Sequence, residues 1–282
     1  MPEKKPAGID FKKIQSAVKA ALNEKGEFIY HREGTPPASR VFFGKKAVEQ
    51  AVDRIKTGIP GFDELLQGGI PRGSTTLVTG GCGSGKSIFC LQVLVNGAQF
   101  YGEPGIYVTF EESPESLRLA GAMFGWPIES LEKRKLLKII FKDPYEIKDF
   151  SKTLSGELYY TLKDMNAKRV VIDSITYLGS TVASTYEVRK TVATLSRRLK
   201  EVGCTTFMVS EIPEGGVGVG RYGMEEFVAD GVINLHNLLI RDMRQRAIEI
   251  LKMRRTKHDT FLHPFRIDEN GVTVFSGEQV FK

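Results

Sequence analysis

The sequence predicts an α/β fold with a mostly parallel sheet flanked by helices and an antiparallel edge at its C-terminal end. Between residues 74 and 210, short apolar runs rich in β-formers alternate with helical patterns, which is typical of a parallel sheet. After residue 232 the strand-like runs follow one another closely, which indicates antiparallel pairing. With 282 residues, 41% of them hydrophobic, the chain can bury a sizeable core.

The expected elements follow from the apolar runs and their flanks. Ser113 supplies an N-cap and Pro114 a first helical position. The parallel strands are expected at Ser74 to Thr79, Gly105 to Phe110, Leu136 to Phe141, Arg169 to Asp173 and Thr205 to Ser210. The helices are expected at Ser87 to Phe100, Pro114 to Phe124, Ser151 to Met165 and Tyr186 to Val202. The antiparallel strands are expected at Val232 to Leu238, Ala247 to Met253, Phe265 to Ile267 and Val272 to Phe275.

Residues 1 to 50 are predicted to form an N-terminal arm outside the core fold, which would occupy residues 51 to 282. Apolar side chains recur at helical spacing from Asp10 to Asn23, and the two prolines between Gly34 and Ser39 break any regular element. The arm has ten Lys or Arg against six acids, so it carries +4 of the net charge of +6. Packing on the domain or on a neighbouring subunit is favoured over a specific partner, but a protein partner for the arm stays open.

The composition argues against several classes of protein. Three cysteines without CxxC spacing, in a chain this long, do not suggest a disulfide scaffold or a zinc cluster. The N-terminus leads into no apolar signal core and no run of eighteen apolar residues occurs, so we expect a soluble, cytoplasmic protein without membrane insertion. The pI near 9.1 allows an anionic partner but does not require one.

The strongest motif is GGCGSGKS, from Gly80 to Ser87, which fits the phosphate-binding loop (P-loop) pattern GxxxxGK[ST] and lies between an apolar strand and a helix. Its glycines let backbone N–H groups turn inward around a triphosphate, and the helix adds the positive end of its dipole. Lys86 is expected to reach the β and γ phosphates, and Ser87 to place its hydroxyl on magnesium. The motif predicts that ATP and magnesium are bound by Gly81, Cys82, Gly83, Ser84, Gly85, Lys86, Ser87 and Ile88.

A second element is the apolar run from Arg169 that ends in the carboxylate of Asp173. Alone, such a run is weak evidence for a magnesium site, since a carboxylate at a strand end usually belongs to a turn or caps a helix. Together with the P-loop it predicts that Asp173 holds the water shell of the magnesium ion.

Two adjacent carboxylates, Glu111 and Glu112, end the strand that follows the P-loop helix. Ligands of an open α/β sheet bind outside the carboxyl ends of its strands, so either glutamate can orient and deprotonate water beside the γ-phosphate. Side chains alternate along a strand, so only one of the two needs to face the site. The alternative is that both acids complement the N-terminus of the helix that begins at Pro114.

A basic cluster runs from Lys252 to His258, and alternation places Lys252 and Arg254 on one side of the predicted strand. Two cations there could stabilise charge on a phosphoryl group, as an arginine finger does, and such residues can come from the next subunit. From spacing alone, a solvated hairpin tip is the favoured interpretation.

Together these motifs resemble the KaiC-like branch of the RecA superfamily, from Arg54 to Ser276. The similar segments are the leader Arg54 to Gly73, the run Phe110-Glu111-Glu112, Val209 to Pro213, Arg221 to Gly231, Leu251 to His258 and His263 to Phe265.

The resemblance implies a RecA-like P-loop NTPase core whose subunits form rings, commonly hexamers, with ATP at each interface. It implies that Glu111 and Glu112 are the catalytic pair and that Ser87 and Asp173 serve magnesium. Arg255 stands where the family often has glycine, and the arm lies outside the resemblance. The residues implied to contact the nucleotide of the adjacent subunit are Lys252, Arg254, Thr256, His258 and Asp268.

The leading hypothesis is a ring-forming ATPase that signals its nucleotide state to a partner. Autophosphorylation at Ser180, Thr181, Ser184 or Thr185 is a further hypothesis, although a helix-start loop is the favoured interpretation there. A DNA-dependent motor would use the glycine-rich loop Glu214 to Tyr222, but one arginine and one tyrosine are thin material for binding single strands, so nucleic acid is not favoured. A non-hydrolysing scaffold is disfavoured by the two glutamates.

Overall fold

The structure is a computed structural model, and it describes residues 52–143, 156–177, 184–213 and 219–280. The predicted arm of residues 1 to 50, including the helix from Asp10 to Asn23, lies outside these residues.

The described strands form two sheets. A small antiparallel pair, β1 (Arg54–Ile55) and β2 (Ile70–Pro71), precedes the main sheet. The main sheet has nine strands in the order β11-β10-β9-β8-β3-β7-β6-β4-β5. Their bounds are β3 (Thr75–Gly80), β4 (Gly105–Thr109), β5 (Leu137–Phe141), β6 (Arg169–Asp173), β7 (Thr205–Glu211), β8 (Gly231–Ile240), β9 (Met243–Met253), β10 (His263–Asp268) and β11 (Gly271–Val274).

The pairing confirms the predicted mostly parallel sheet with an antiparallel C-terminal edge. Every pairing from β8 through β3, β7, β6 and β4 to β5 is parallel. The pairings of β8 with β9, β9 with β10 and β10 with β11 are antiparallel. Because β3 lies at the centre, the loop that follows Gly80 opens in the middle of the carboxyl edge of the parallel strands, where α/β folds bind ligands.

Six α-helices are described: α1 (Lys86–Phe100), α2 (Pro114–Met123), α3 (Ile128–Lys133), α4 (Glu157–Asp164), α5 (Thr185–Glu201) and α6 (Glu225–Val228). Short 3-10 turns occupy Asp63–Leu66 and Ile175–Tyr177. The predicted N-cap of α2 is present, because the Ser113 hydroxyl accepts a hydrogen bond from the Ser116 amide. The helix expected from Ser151 is described from Glu157, and residues 151–155 lie outside the described part.

Two apolar clusters cover the two faces of the sheet. Helix α1 packs on one face, with Phe89, Leu91 and Leu94 buried. Helix α5 packs on the other face through its buried positions Val188, Val192, Leu195 and Leu199, at spacings of three and four residues. This two-sided burial explains why the central strands are apolar throughout rather than alternating.

Candidate functional site

The P-loop joins the end of β3 to the start of α1. The Lys86 ammonium is buried and donates hydrogen bonds to the backbone oxygens of Gly80 and Gly81, both at 3.0 Å. The Ser84 hydroxyl donates to the Gly81 oxygen at 2.8 Å. The loop is therefore held in a closed curve beside the first turn of α1, whose free N–H groups favour an anion.

Two glycines of the loop are required by close approach. Gly80 has φ of 155°, and a Cβ there would lie 2.2 Å from the Leu235 oxygen on the neighbouring strand β8. Gly85 has φ of 94°, and a Cβ there would lie 2.6 Å from Cδ1 of Ile267. Both positions are left-handed and sterically filled, so only glycine lets the loop curl between these strands.

Asp173 ends β6 directly opposite Thr109 of β4. Its carboxylate accepts hydrogen bonds from the hydroxyls of Tyr107 and Ser87. Burial raises the pKa of Asp173 above its ordinary value, and those two hydrogen bonds oppose the shift. The predicted magnesium pair Ser87 and Asp173 is thus brought into contact.

The donors present fit magnesium. A serine hydroxyl and a carboxylate are hard oxygen ligands, and magnesium takes few of them from the protein because it keeps water and binds phosphate oxygens. Within the residues that the structure describes, no group of three or more His, Cys, Asp or Glu side chains could hold a metal ion. One hydroxyl and one carboxylate beside the P-loop suit an ion that takes its other ligands from water and phosphate.

The adjacent carboxylates Glu111 and Glu112 lie in the bend that follows β4, and their side chains diverge. Glu111 accepts a hydrogen bond from the Ser174 hydroxyl at 3.3 Å, just beyond the end of β6. Glu112 accepts one from the Ser116 hydroxyl at 2.6 Å, in the first turn of α2. This contact of Glu112 with the start of α2 fits the alternative interpretation, in which the acid complements the N-terminus of the helix. Glu112 also lines the cavity at the P-loop.

The carboxylate of Glu111 lies near the negative charges of Glu211 and Asp173. Burial raises the pKa of Glu111, the charge of Glu211 raises it further, and the hydrogen bond from Ser174 opposes the shift. A carboxylate with a raised pKa is a stronger proton acceptor than an ordinary glutamate, which suits Glu111 to act on water next to a phosphate-binding loop.

Glu211 was not among the predicted site residues. It is the last residue of β7 and pairs in register with Gly80, so its carboxylate enters the site from the neighbouring strand. Its position depends on β7 lying beside β3, and no local motif specifies that order. Its run Thr205 to Glu211 ends in a carboxylate as Arg169 to Asp173 does, and this was the available signal.

A cavity of about 320 Å³ opens along the P-loop. Its lining combines polar side chains of Lys86, Ser87 and Glu112 with apolar side chains of Leu91, Leu117 and Phe124, and the predicted Ile88 also lines it. Few polar groups in a mostly apolar lining are typical of small-molecule sites. A larger groove of about 790 Å³ runs beside the edge strand β5, but none of these residues lines it.

The predicted basic residues lie at the amino ends of the parallel strands, opposite to the P-loop. Lys252 pairs with Val232 near the start of β8, and its ammonium donates to the backbone oxygens of Glu226 and Ala229 at 3.1 and 2.6 Å. Arg254 donates to the Asp230 carboxylate at 3.2 Å. Both cations therefore lie away from the P-loop of their own chain.

The loop that follows Lys252 and Arg254 is held by Arg54. The Arg54 guanidinium donates to the Thr256 hydroxyl at 2.8 Å and to the Arg255 oxygen at 3.3 Å. Arg255 has φ of 62°, a left-handed conformation that glycine adopts more readily, so the loop keeps a glycine-like turn with an arginine in it. The His258 ring hydrogen-bonds the Asp259 oxygen at 2.7 Å and is partly exposed.

Asp268 lies at the opposite end of the parallel strands from Lys252 and Arg254. It ends β10, which runs in the same direction as β3, and the preceding Ile267 packs against Gly85 of the P-loop. The contact of Asp268 with the nucleotide of a neighbouring subunit stays a prediction.

The comparisons with known proteins point to one family. The family model described as the KaiC ATPase matches residues 55–279. The chain belongs to the KaiC family of ATPases. It is 39% identical over 246 residues to the circadian clock oscillator protein KaiC of Parasynechococcus marenigrum, covering 85% of this chain and 47% of that protein. It is 40% identical over 237 residues to KaiC of Prochlorococcus marinus subsp. pastoris, covering 82% of this chain and 47% of that protein.

A solved structure of similar size also matches. The crystal structure of a KaiC-like protein from the archaeon Pyrococcus horikoshii superposes with a TM-score of 0.71 at 40% identity, covering 79% of this chain and 99% of that one. By contrast, this chain spans about half the length of the KaiC proteins it matches. The predicted α/β fold of the RecA type and the predicted family are thereby confirmed.

The remaining predicted positions are only partly described. Ser180 and Thr181 lie outside the described residues, and the Ser184 hydroxyl accepts a hydrogen bond from the Glu187 amide as the N-cap of α5. In the glycine-rich loop, residues 214–218 lie outside the described part, and the Tyr222 hydroxyl donates to the Thr176 oxygen. In the part that the structure covers, no helix has the length and apolar character needed to span a bilayer.

Proposed function

We propose that this chain hydrolyses ATP at composite sites between the subunits of a ring-shaped homo-oligomer, expected to be a hexamer, and that the nucleotide state of the ring regulates a partner. The observation that carries the proposal is the separation of the two halves of the site on one sheet. The P-loop follows Gly80, at the carboxyl end of β3. The Arg254 amide donates to the Asp230 oxygen, and the Asp230 amide donates to the oxygen of Thr75, which begins β3 at the opposite end.

The separation is too large for one chain to close. From Thr75 to Gly80 the strand advances five residues, or about 16 Å at roughly 3.3 Å per residue. Lys252 and Arg254 are also directed to the segment Glu226–Asp230, away from the P-loop. A second copy that docks its basic residues onto the P-loop of the first makes a head-to-tail contact, and repetition of this contact gives a ring when the rotation between subunits closes.

In the proposed reaction, a water molecule attacks the γ-phosphorus while Glu111 accepts its proton, and the bond from the γ-phosphorus to the bridging oxygen breaks to release ADP. Lys86 and the P-loop amides hold the phosphates. Magnesium held near Ser87 and Asp173 would neutralise charge on the phosphate oxygens. Lys252 and Arg254 of the adjacent subunit would stabilise the charge that develops on the transferred group.

The other hypotheses have less support. Tyr222, one of two loop residues suited to single-stranded DNA, donates its hydroxyl internally to Thr176. Ser184 caps a helix, as the structural interpretation of the serine and threonine cluster expects. We also propose that residues 1–50 lie outside the ATPase domain of residues 51–282.

The proposal is tested by measuring ATP turnover and native mass for the wild type and for the double variant Glu111→Gln/Glu112→Gln, with and without single-stranded DNA. Turnover should disappear in the variant while ATP binding and assembly persist. Stimulation of the wild type by DNA would favour the motor hypothesis. Equal inactivity of both proteins, with ATP-dependent assembly, would instead identify a scaffold.

A further inference from the structure

The hairpin of β8 and β9 extends past the end of β3 and contacts the outside of the P-loop. Asn237 on β8 and Arg246 on β9 are a directly opposed pair in this hairpin. The Asn237 amide donates to the Cys82 oxygen at 3.4 Å, and Nε of Arg246 donates to the Gly83 oxygen at 3.2 Å. One cross-strand pair thus holds two consecutive carbonyl groups of the nucleotide-binding loop.

Peptide geometry converts these outer contacts into an inner arrangement. In a trans peptide the C=O and the following N–H point in opposite directions. Holding the Cys82 oxygen outward turns the Gly83 N–H inward, and holding the Gly83 oxygen outward turns the Ser84 N–H inward. The Ser84 amide donates across the loop to the Gly81 oxygen at 3.4 Å.

The contact also depends on Gly83 being glycine. Its φ is 68°, and a Cβ at this position would lie 3.2 Å from the amide nitrogen of Asn237. A further hydrogen bond links the two strands of the hairpin, because the Arg244 guanidinium donates to the backbone oxygen of Asn237 at 2.9 Å. The loop and the hairpin are therefore matched in shape as well as in hydrogen bonding.

We propose that Asn237 and Arg246 are positioning residues that turn the amides of Gly83 and Ser84 toward the phosphates of the bound nucleotide. The proposal rests on nucleotide binding by the P-loop, as in the proposed function. Neither residue needs to touch the nucleotide. Both side chains are partly exposed, so their contacts contribute little to folding, and their main effect is on the orientation of the loop.

The test measures binding of ADP and of ATP, each with magnesium, to the full-length chain by titration calorimetry. The variants are Arg246→Ala, Asn237→Ala and the double variant, with Arg246→Lys as the conservative replacement. Arg241→Asn is the matched control, because it removes one positive charge from the same hairpin at a left-handed position that asparagine tolerates. Circular dichroism and thermal melting check that each variant is folded.

The double variant is expected to bind both nucleotides about tenfold more weakly, which corresponds to about 1.4 kcal/mol. The loss should be equal for ADP and ATP, kcat at saturating ATP should be unchanged, and Arg246→Lys should recover part of the affinity. These results would support the positioning role. If Arg246→Ala melts at a much lower temperature, Arg246→Lys and Asn237→Ala decide by the same criteria.

Three results would overturn the inference. Unchanged affinity in the double variant means that the loop does not depend on the hairpin. An equal loss in Arg241→Asn means that the charge of the hairpin matters rather than its contacts. A loss confined to ATP means that Arg246 contacts the γ-phosphate directly. A wild type that binds neither nucleotide would contradict the proposed function itself, which keeps the two failures distinguishable.

Discussion

Replacing Glu111 by glutamine keeps the shape of the side chain and its ability to accept the hydrogen bond from Ser174, but it removes the proton acceptor. General-base catalysis contributes about 10²- to 10⁴-fold, so kcat should fall by at least about 100-fold, or about 2.7 kcal/mol of barrier. Affinity for ATP should change little, because Glu111 meets Ser174 rather than the P-loop backbone.

Glu112→Gln is the matched control. Its Oε1 accepts from Ser116 at the start of α2, and glutamine keeps that acceptor, so we expect a loss of less than about tenfold. Phosphate release measures kcat, and fluorescent ADP measures binding. A loss in Glu112→Gln as large as that in Glu111→Gln would refute the assignment of the base from this geometry.

The acid side of the pH profile tests the same residue. Burial and the charge of Glu211 raise the pKa of Glu111 above the ordinary value of 4.5. The base acts only when deprotonated, so kcat/KM should rise with pH through an apparent pKa above 4.5 that belongs to the free enzyme. Glu211→Gln removes one cause of the shift and should move this limb to lower pH; a limb that stays in place would contradict the cause.

The remaining predictions concern other parts of the chain. Asp173→Asn should weaken the magnesium dependence of ATP binding, measured by titration of magnesium, with little loss of nucleotide affinity in its absence. Asp230→Asn should lower kcat several-fold without changing ATP affinity, because it removes the carboxylate that holds Arg254 at 3.2 Å. Gly97→Ala should destabilise the fold by about 1–3 kcal/mol in thermal unfolding, because its Cβ would lie 2.5 Å from Nε of Arg169.

Local sequence patterns were sufficient to predict much of the fold and the part of the site formed by the P-loop and Asp173. The P-loop, its strand and its helix are specified within one continuous segment, and Asp173 ends an apolar run that reads as a buried strand. The order of the strands is not local: Glu211 enters the site because β7 lies next to β3. The sequence predicted that Glu111 and Glu112 diverge by alternation along a strand, but β4 ends at Thr109 and the two side chains diverge in the bend that follows it. Their partners Ser174 and Ser116 required the structure.

Contacts between distant segments were the least predictable. Arg54 supports Thr256 across the whole domain, and Arg246 reaches the P-loop only because a long hairpin extends beyond the neighbouring strand. A surface arginine carries no sequence signal for such a contact. The position of Asp268 at the same end of the sheet as the P-loop is also not local, since the direction of β10 depends on two successive antiparallel turns.

The central claim is that each site is built from two subunits, and mixing two inactive variants tests it most directly. Glu111→Gln lacks the base and Arg254→Ala lacks the contribution to the neighbouring site, so each alone should hydrolyse ATP slowly. In rings assembled at random from equal amounts, about one quarter of the sites combine an intact Glu111 with an intact Arg254 from the adjacent subunit. We predict that turnover recovers to about one quarter of the wild-type value; turnover that stays at the mean of the two variants would contradict the composite site.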